Sequence, residues 1–389
     1  ATLDTKGREA AFVRGVLAGA GVEVKLVDVG CLGSPAIDAD ISRQEFFAAT
    51  GHSLSELVTA ADRGRAVTAA AAAAAAWMTR LHAEGKVSGV MGLGGSAGTT
   101  IGTAAMRALP LGVPKVMVST LASGQVRHYV GDKDVFMLNS VVDISGVNRI
   151  SRLVLGQAAR AMAGMIRFPQ PPAAGADKPL VAASMFGVTT PCVERARGLL
   201  EAAGYEVLVF HATGNGGQAM ESLIADGLLA GVLDITTTEL ADELVGGVLS
   251  AGPDRLTAAG RAGVPQVVSV GATDMVNFHA RESVPERFRE RTFYRHNANV
   301  TLMRTTAEEN AEIGADIGRK LAAATGPTAL VLPLCGVSAI DRTGQPFDDP
   351  AARRSLFQTL RQSAGQVETL ELDCHINDPE FAEAAAQKL

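Results

Sequence analysis

The sequence predicts an α/β protein made of two doubly wound units with parallel sheets, and three observations carry that prediction. Short apolar, strand-like runs alternate with helix-like runs along the chain, the pattern of crossovers that leaves a parallel sheet covered on both faces. The pattern also occurs twice: Ala20-Gly21-Val22-Glu23-Val24 returns as Ala203-Gly204-Tyr205-Glu206-Val207, and Gly89-Val90-Met91 as Gly231-Val232-Leu233. Gly112-Val113-Pro114-Lys115-Val116 likewise returns as Gly263-Val264-Pro265-Gln266-Val267. Finally, 389 residues, of which 47% are hydrophobic, exceed what one core holds, since single cores stop growing near about 250 to 300 residues.

Taken in order, Thr2-Leu3-Asp4-Thr5-Lys6-Gly7 reads as the loop after a first strand of which only Ala1 precedes it. Residues 12–29 then give an amphipathic helix, a Gly turn and an apolar strand. The apolar run 69–76 is too short and alanine-rich to span a bilayer, and it continues into Trp77, Met78 and Arg80 as an ordinary helix. No transmembrane segment is expected, and no export signal marks the start, so the expected location is the cytoplasm.

Residues 87–91 read as a short buried strand and residues 101–109 as a helix. Between them lies Gly92-Leu93-Gly94-Gly95-Ser96-Ala97-Gly98-Thr99-Thr100, a glycine-rich loop at the carboxyl end of a strand. Backbone without side chains approaches a ligand closely there, and N–H groups at a helix start attract phosphate or carboxylate. The stretch lacks the Lys of a P-loop and meets the dinucleotide fingerprint only as Gly92-x-Gly94-x-x-Ala97, without the acidic residue about twenty positions on. It therefore indicates an anion and does not name a nucleotide. Gly94-Gly95-Ser96-Ala97-Gly98 also fits G-x-S-x-G, but no second motif supplies an acid or histidine for Ser96.

Around this loop, Ser96, Thr99, Thr100, Ser119, Thr120 and Ser123 offer hydroxyls to phosphate oxygens, and Lys6 a point charge. Asp4 or Asp28 could hold Mg²⁺ or a ribose. The same residue types serve as helix caps and turns, and singly each is read that way first.

The proline-dense stretch 168–179 cannot be helical and marks the connector, placing the anion-binding unit at residues 1–170 and the second unit at 180–389. In the second unit the strand end equivalent to the glycine loop reads Asp234-Ile235-Thr236-Thr237-Thr238-Glu239, which resembles a capping box. Gly214-Asn215-Gly216-Gly217 is a further tight turn open to a ligand. The densest polar stretch runs through Asn277, His279, Arg281, Arg291, His296 and Arg304, from which His296, Arg304 and His279 are the catalytic candidates, able to bind carboxylate or phosphate and move protons. Thr306 and Glu309 beyond it form a helix start. A third apolar strand at 329–336 and a terminal segment at 356–389 complete the second unit or cross back to the first.

Composition excludes other classes. A net charge of -6 without a Lys/Arg run argues against a nucleic-acid surface. Cys31, Cys192, Cys335 and Cys374 stand singly, as reduced apolar filler. No His pair at i,i+4 and no cysteine cluster marks a metal site.

Four separated motifs, in order, carry a family resemblance: residues 2–7, 92–99, Gly271-Ala272-Thr273-Asp274-Met275-Val276-Asn277-Phe278, and 296–306, followed near the end by Asp373-Cys374-His375-Ile376-Asn377-Asp378-Pro379. With these the chain resembles uncharacterised protein family 0261 over essentially its whole length, a family that includes a domain of a plant virus-resistance protein. The resemblance implies two Rossmann-like subdomains, a homodimer, and ATP bound by the first subdomain, at the positions here of Asp4, Thr5, Lys6 and Gly92 to Thr100. It supplies no reaction. The expectation is a cytoplasmic ATP-binding enzyme, with Mg²⁺ where polyphosphate requires it, acting on a small acidic metabolite in the cleft between the domains. Two alternatives are an enzyme that needs no nucleotide and holds a phosphorylated or carboxylate substrate directly, and a non-catalytic nucleotide- or partner-binding module.

Overall fold

The computed structural model describes residues 1–169 and 177–389, so most of the expected connector lies outside the described residues. The chain divides into two compact units, Ala1–Pro172 and Ala173–Leu389.

The first unit runs α1 (Leu3–Gly19), α2 (Arg43–Ala48), α3 (Leu54–Ala60), α4 (Arg63–Ala83), β1 (Val90–Gly94), α5 (Ser96–Arg107), β2 (Lys115–Ser119), α6 (Arg127–Val130), β3 (Phe136–Asn139) and α7 (Arg149–Arg167). Its strands form a parallel sheet in the order β1-β2-β3, with Gly94, Ser119 and Asn139 aligned at the carboxyl ends. Leu93, Val116 and Val118 pack with α1 and α7, while α4 and α5 cluster around Ala70, Ala73, Ile101 and Ala105 with Val90 beside them. Helices on both faces explain why the strand sequences are apolar throughout rather than alternating.

Three expectations for this unit change. Thr2 to Gly7 is the start of α1 rather than a loop, with Lys6 (φ -125°, ψ 18°) breaking its regularity. Residues 22–29 form no strand; Val27 makes an isolated bridge to Ile41, and the Ala1 ammonium donates to Val27 O. Its repeat partner is a true strand because it has a full ladder neighbour. The strand expected at 87–91 lies three residues later, and the helix expected at 101 begins at Ser96.

The second unit follows the same logic on a larger sheet: β4 (Leu180–Met185), α8 (Thr190–Ala202), β5 (Glu206–His211), α9 (Asn215–Ala225), β6 (Gly231–Thr236), α10 (Thr238–Val245), α11 (Ala258–Ala262) and β7 (Gln266–Gly271). Then come β8 (Met275–Phe278), β9 (Phe293–Arg295), β10 (Thr301–Arg304), α12 (Ala307–Ala322), β11 (Thr328–Pro333), α13 (Pro350–Ser363), β12 (Glu368–Leu372) and α14 (Pro379–Lys388). Six strands pair in parallel in the order β12-β11-β7-β6-β4-β5, so the terminal segment completes this unit. One face packs on α8 and α14 around Val181, Leu233 and Phe381; the other packs on α12 and α13 around Val268, Leu330 and Leu356. Both units are thus Rossmann-like and doubly wound, and their shared strand–helix logic is the internal duplication seen in the sequence. The polar stretch 277–306 adds an antiparallel sheet, β8-β10-β9, that the sequence pattern did not indicate. The structure contains no helix long and apolar enough to cross a membrane among the described residues.

Candidate functional site

The glycine stretch of the first unit resolves into a strand end, one turn residue and a helical first turn. Gly92, Leu93 and Gly94 belong to β1, Gly95 is the residue preceding α5, and Ser96 opens the helix. Three of the four glycines are demanded by packing. A Cβ on Gly92 would lie 2.7 Å from Met117 Sδ, one on Gly94 2.9 Å from Gly98 Cα, and one on Gly98 3.1 Å from Leu93 O. Gly95 is different: the nearest atom to its Cβ position is Thr120 Oγ1 at 3.5 Å. Its φ of -85° suits any residue. Packing therefore does not explain why position 95 has no side chain.

The helix start beside Gly95 carries no side-chain cap. The N–H groups of Ser96, Ala97 and Gly98 have no acceptor among the described residues, while Thr99 N already donates to Gly95 O at 2.8 Å. A helix start of this kind presents oriented donors and the positive end of the helix dipole. Of the expected hydroxyls, Thr99 donates to Gly95 O and sits 2.7 Å from Ser119 Oγ, both buried. Ser119 Oγ also accepts from Leu121 N at 2.9 Å, and Thr100 donates to Ser96 O at 3.0 Å. These three hold the loop's shape. Ser96 and Ser123 are exposed and Thr120 is half-buried, so these are the hydroxyls that face outward.

Among the described residues, Asp4, Thr5 and Lys6 do not join this loop through any hydrogen bond or ion pair. The Lys6 ammonium donates to Ile144 O, and Thr5 Oγ1 lies 2.9 Å from Thr2 Oγ1. Asp4 faces Gly30, and its Oδ1 is buried without a partner. Asp28 is fully engaged: Oδ1 accepts from Leu3 N and Gly30 N at 3.0 and 2.9 Å, and Oδ2 pairs with Arg43 at 2.7 Å. That leaves Asp28 little capacity for Mg²⁺. No group of three or more His, Cys, Asp or Glu gathers as a metal site among the described residues.

The second unit separates its three catalytic candidates. His279 and His296 are exposed, at the end of the small sheet where Phe278, Thr301 and Arg295 pair. Arg304 sits at the opposite end of β10, opposite Met275, and is buried. Its guanidinium donates to Phe347 O at 2.8 Å, Thr305 Oγ1 at 2.8 Å, Asp274 O at 3.2 Å and Asp341 Oδ1 at 3.2 Å. With its donors so committed, Arg304 braces loops and has no fork left for a ligand.

Two buried polar networks that the sequence reading missed occupy the carboxyl side of the six-stranded sheet. In one, Asp341 lies between Arg304 and Arg353, and Ser338 donates to Asp274 Oδ2 at 2.8 Å. Asp274 is fully buried, its Oδ1 has no partner, and burial together with the Asp341 charge raises its carboxyl to about 7. In the other, Arg255 is enclosed by Asp234 at 2.5 Å, Glu239 at 2.7 Å and Glu221 at 3.3 Å. Glu239 Oε1 accepts from Gly214 N at 2.7 Å and Gly217 N at 3.1 Å. So the capping box expected at Thr236 to Glu239 does not form: Thr237 precedes α10 without capping it and donates to Ser269 O, while Glu239 fills the Gly214 turn instead. The Thr306–Glu309 capping box is present. Asp274 directly follows a glycine-led strand end, Gly271-Ala272-Thr273, which was the one signal in the sequence pointing to it.

Of the cysteines only Cys192 is buried, and burial pushes its thiol up to about 12. Cys335 is exposed, which departs from the expected apolar filler.

Comparison with known proteins follows the same two-part division. The model of the uncharacterised protein family UPF0261 N-terminal domain matches residues 1–171, and that of its C-terminal domain matches residues 178–389. The chain belongs to the UPF0261 family. A UPF0261 protein of Clostridium tetani is 52% identical over 390 residues, covering 100% of this chain and 96% of the relative. A UPF0261 protein of Rhizobium meliloti is 50% identical, covering 99% and 96%. In Solanum lycopersicum, the ToMV resistance protein Tm-1(GCR237) is 44% identical over 343 residues, 86% of this chain but 46% of that protein. The ToMV susceptible protein tm-1(GCR26) of the same plant is also 44% identical. Resemblance to this UPF0261 chain is therefore shared by relatives named for opposite outcomes, and carries neither.

Proposed function

We propose that the first unit binds a phosphate-bearing anion, ATP or a related nucleotide, at the start of α5. The observation that carries this is Gly95, a position with room for a side chain, next to three first-turn N–H groups that have no acceptor. The residues fit the group: Ser96, Ala97 and Gly98 would donate N–H bonds to phosphate oxygens, with the Ser96 and Thr120 hydroxyls beside them. Lys6 is committed to Ile144 O and would contribute only by exchanging that bond. The proposal extends to a cytoplasmic homodimer, and to an enzyme acting on a small acidic metabolite, although His279, His296 and Arg304 do not form one site. Mg²⁺ would arrive with the polyphosphate.

The test is calorimetric titration with ATP, ADP and sugar phosphates, with and without Mg²⁺. Tight ATP binding that a Gly95→Leu variant abolishes, with unchanged thermal stability, supports the assignment. Sugar phosphates binding in place of nucleotides would point to the nucleotide-independent enzyme, and ATP binding without hydrolysis or co-substrate effect to the non-catalytic module. Unchanged ATP affinity in Gly95→Leu would remove the loop from consideration.

A further inference from the structure

The second unit carries a groove that borders the Asp341 network at Arg353. It is open to solvent along one side and has a volume of about 420 Å³, within the roughly 300 to 1,000 Å³ of small-molecule sites. Its floor is Leu334, Pro350 and Phe357, and its cationic wall is Arg353, Arg354 and Arg361. Pro350, Arg353, Arg354, Phe357 and Arg361 fall on one face of α13 by helical spacing, and Leu334 directly follows β11. The groove therefore runs along α13, from Leu334 just past the carboxyl end of β11 to Arg361 in the last turn of the helix.

The three arginines differ in what holds them. Arg361 is gripped by both oxygens of Glu371, Nε to Oε1 at 2.6 Å and Nη2 to Oε2 at 2.9 Å. Arg353 is tied to Asp341 at 2.7 Å and to Asp348 at 2.9 Å. These pairings fix two guanidiniums and balance their charge. Arg354 is exposed and has no ion pair or hydrogen bond among the described residues, and no carboxylate lines the groove beside it. An uncompensated guanidinium, flanked by two immobilised ones over an apolar floor, matches a molecule with one anionic end and one apolar end. The fork of Arg354 suits a carboxylate or phosphate, and Phe357 and Leu334 suit the body.

We propose that this groove is a second binding site, for a small organic carboxylate or phosphate monoester with an apolar body, independent of the glycine turn of the first unit. The full chain is titrated with phenyl phosphate, benzoate and inorganic phosphate, in the natural sequence and in Gly95→Leu, so that the two sites are read separately. Expected are saturable binding of phenyl phosphate or benzoate that persists in Gly95→Leu, and about tenfold weaker binding in Arg354→Ala, partly restored by Arg354→Lys. Arg354 is exposed, so the variants keep the parent's thermal midpoint. Undiminished binding in Arg354→Ala, inorganic phosphate binding as tightly as phenyl phosphate, or no saturable binding of any probe overturns the proposal.

Discussion

Each unit has a glycine-led helix start, Gly94-Gly95 before α5 and Gly214 before α9, whose first turn holds Gly216 and Gly217, and the two starts end in opposite states. In the second unit Glu239 on α10 reaches into the turn and accepts from Gly214 N and Gly217 N. A Cβ on Gly217 would stand 2.1 Å from Glu239 Oε2, so the glycine is there to admit the carboxylate. In the first unit no side chain among the described residues caps the first-turn N–H groups of α5, although by the repeat that helix start corresponds to α10 and not to α9. A donor-lined turn attracts an anion whatever its source. The α9 start takes its anion from the chain itself and becomes a brace; the α5 start takes none from the described residues.

The sharpest way to break this contrast is to remove the internal anion. Glu239→Ala strands two buried N–H groups and weakens the enclosure of Arg255. It should lower stability by on the order of 3 kcal/mol in chemical denaturation followed by circular dichroism. A loss under about 1 kcal/mol would mean that the carboxylate is not what fills the turn.

The next test separates glycines by role. Gly94→Ala forces a Cβ against Gly98 Cα and should destabilise by about 1–3 kcal/mol, whereas Gly95→Ala should change stability by less than about 0.5 kcal/mol. Equal effects would erase the distinction between a packing glycine and a ligand-facing one.

A further effect appears in pH. The Asp274 carboxyl titrates at about 7 in the folded chain against an ordinary 3.8, so the native state retains a proton that the unfolded chain releases. Stability from this group is complete below about pH 4 and is lost as pH rises through 7, by at most about 1.4 kcal/mol per pH unit. Asp242, raised to about 7 by burial, acts in the same direction. Around Asp274 stand Asp341, Arg304, Ser338 and, on Ser338 O, His375. Asp274→Asn should flatten the decline in unfolding free energy between pH 4 and pH 7; an unaltered slope would place that titration elsewhere.

The smallest expected change belongs to Ser96→Ala. If its hydroxyl assists the free N–H groups, nucleotide affinity drops by about threefold to tenfold with no shift in thermal midpoint.

Much of this architecture was legible in the residues. Strand interiors such as Val116 to Val118 and Val267 to Val268 are apolar because both faces of their sheets are covered, and the repeat exposed two copies of one unit. The candidate site was legible only as a stretch. Which of Gly92, Gly94, Gly95 and Gly98 is free of a packing demand depends on neighbours distant in sequence, such as Met117 and Thr120.

The sequence alone therefore determined the fold class, the duplication and the place of the glycine turn, because local periodicity and glycine spacing are properties of neighbouring residues. Tertiary structure decided the rest. It turned Arg304 from a candidate catalyst into a buried brace, and it sent Glu239 away from its own helix cap to a turn twenty-five residues back. The reason is that a charged side chain is assigned by the partners that desolvation compels it to find, and those partners come together only when the chain folds.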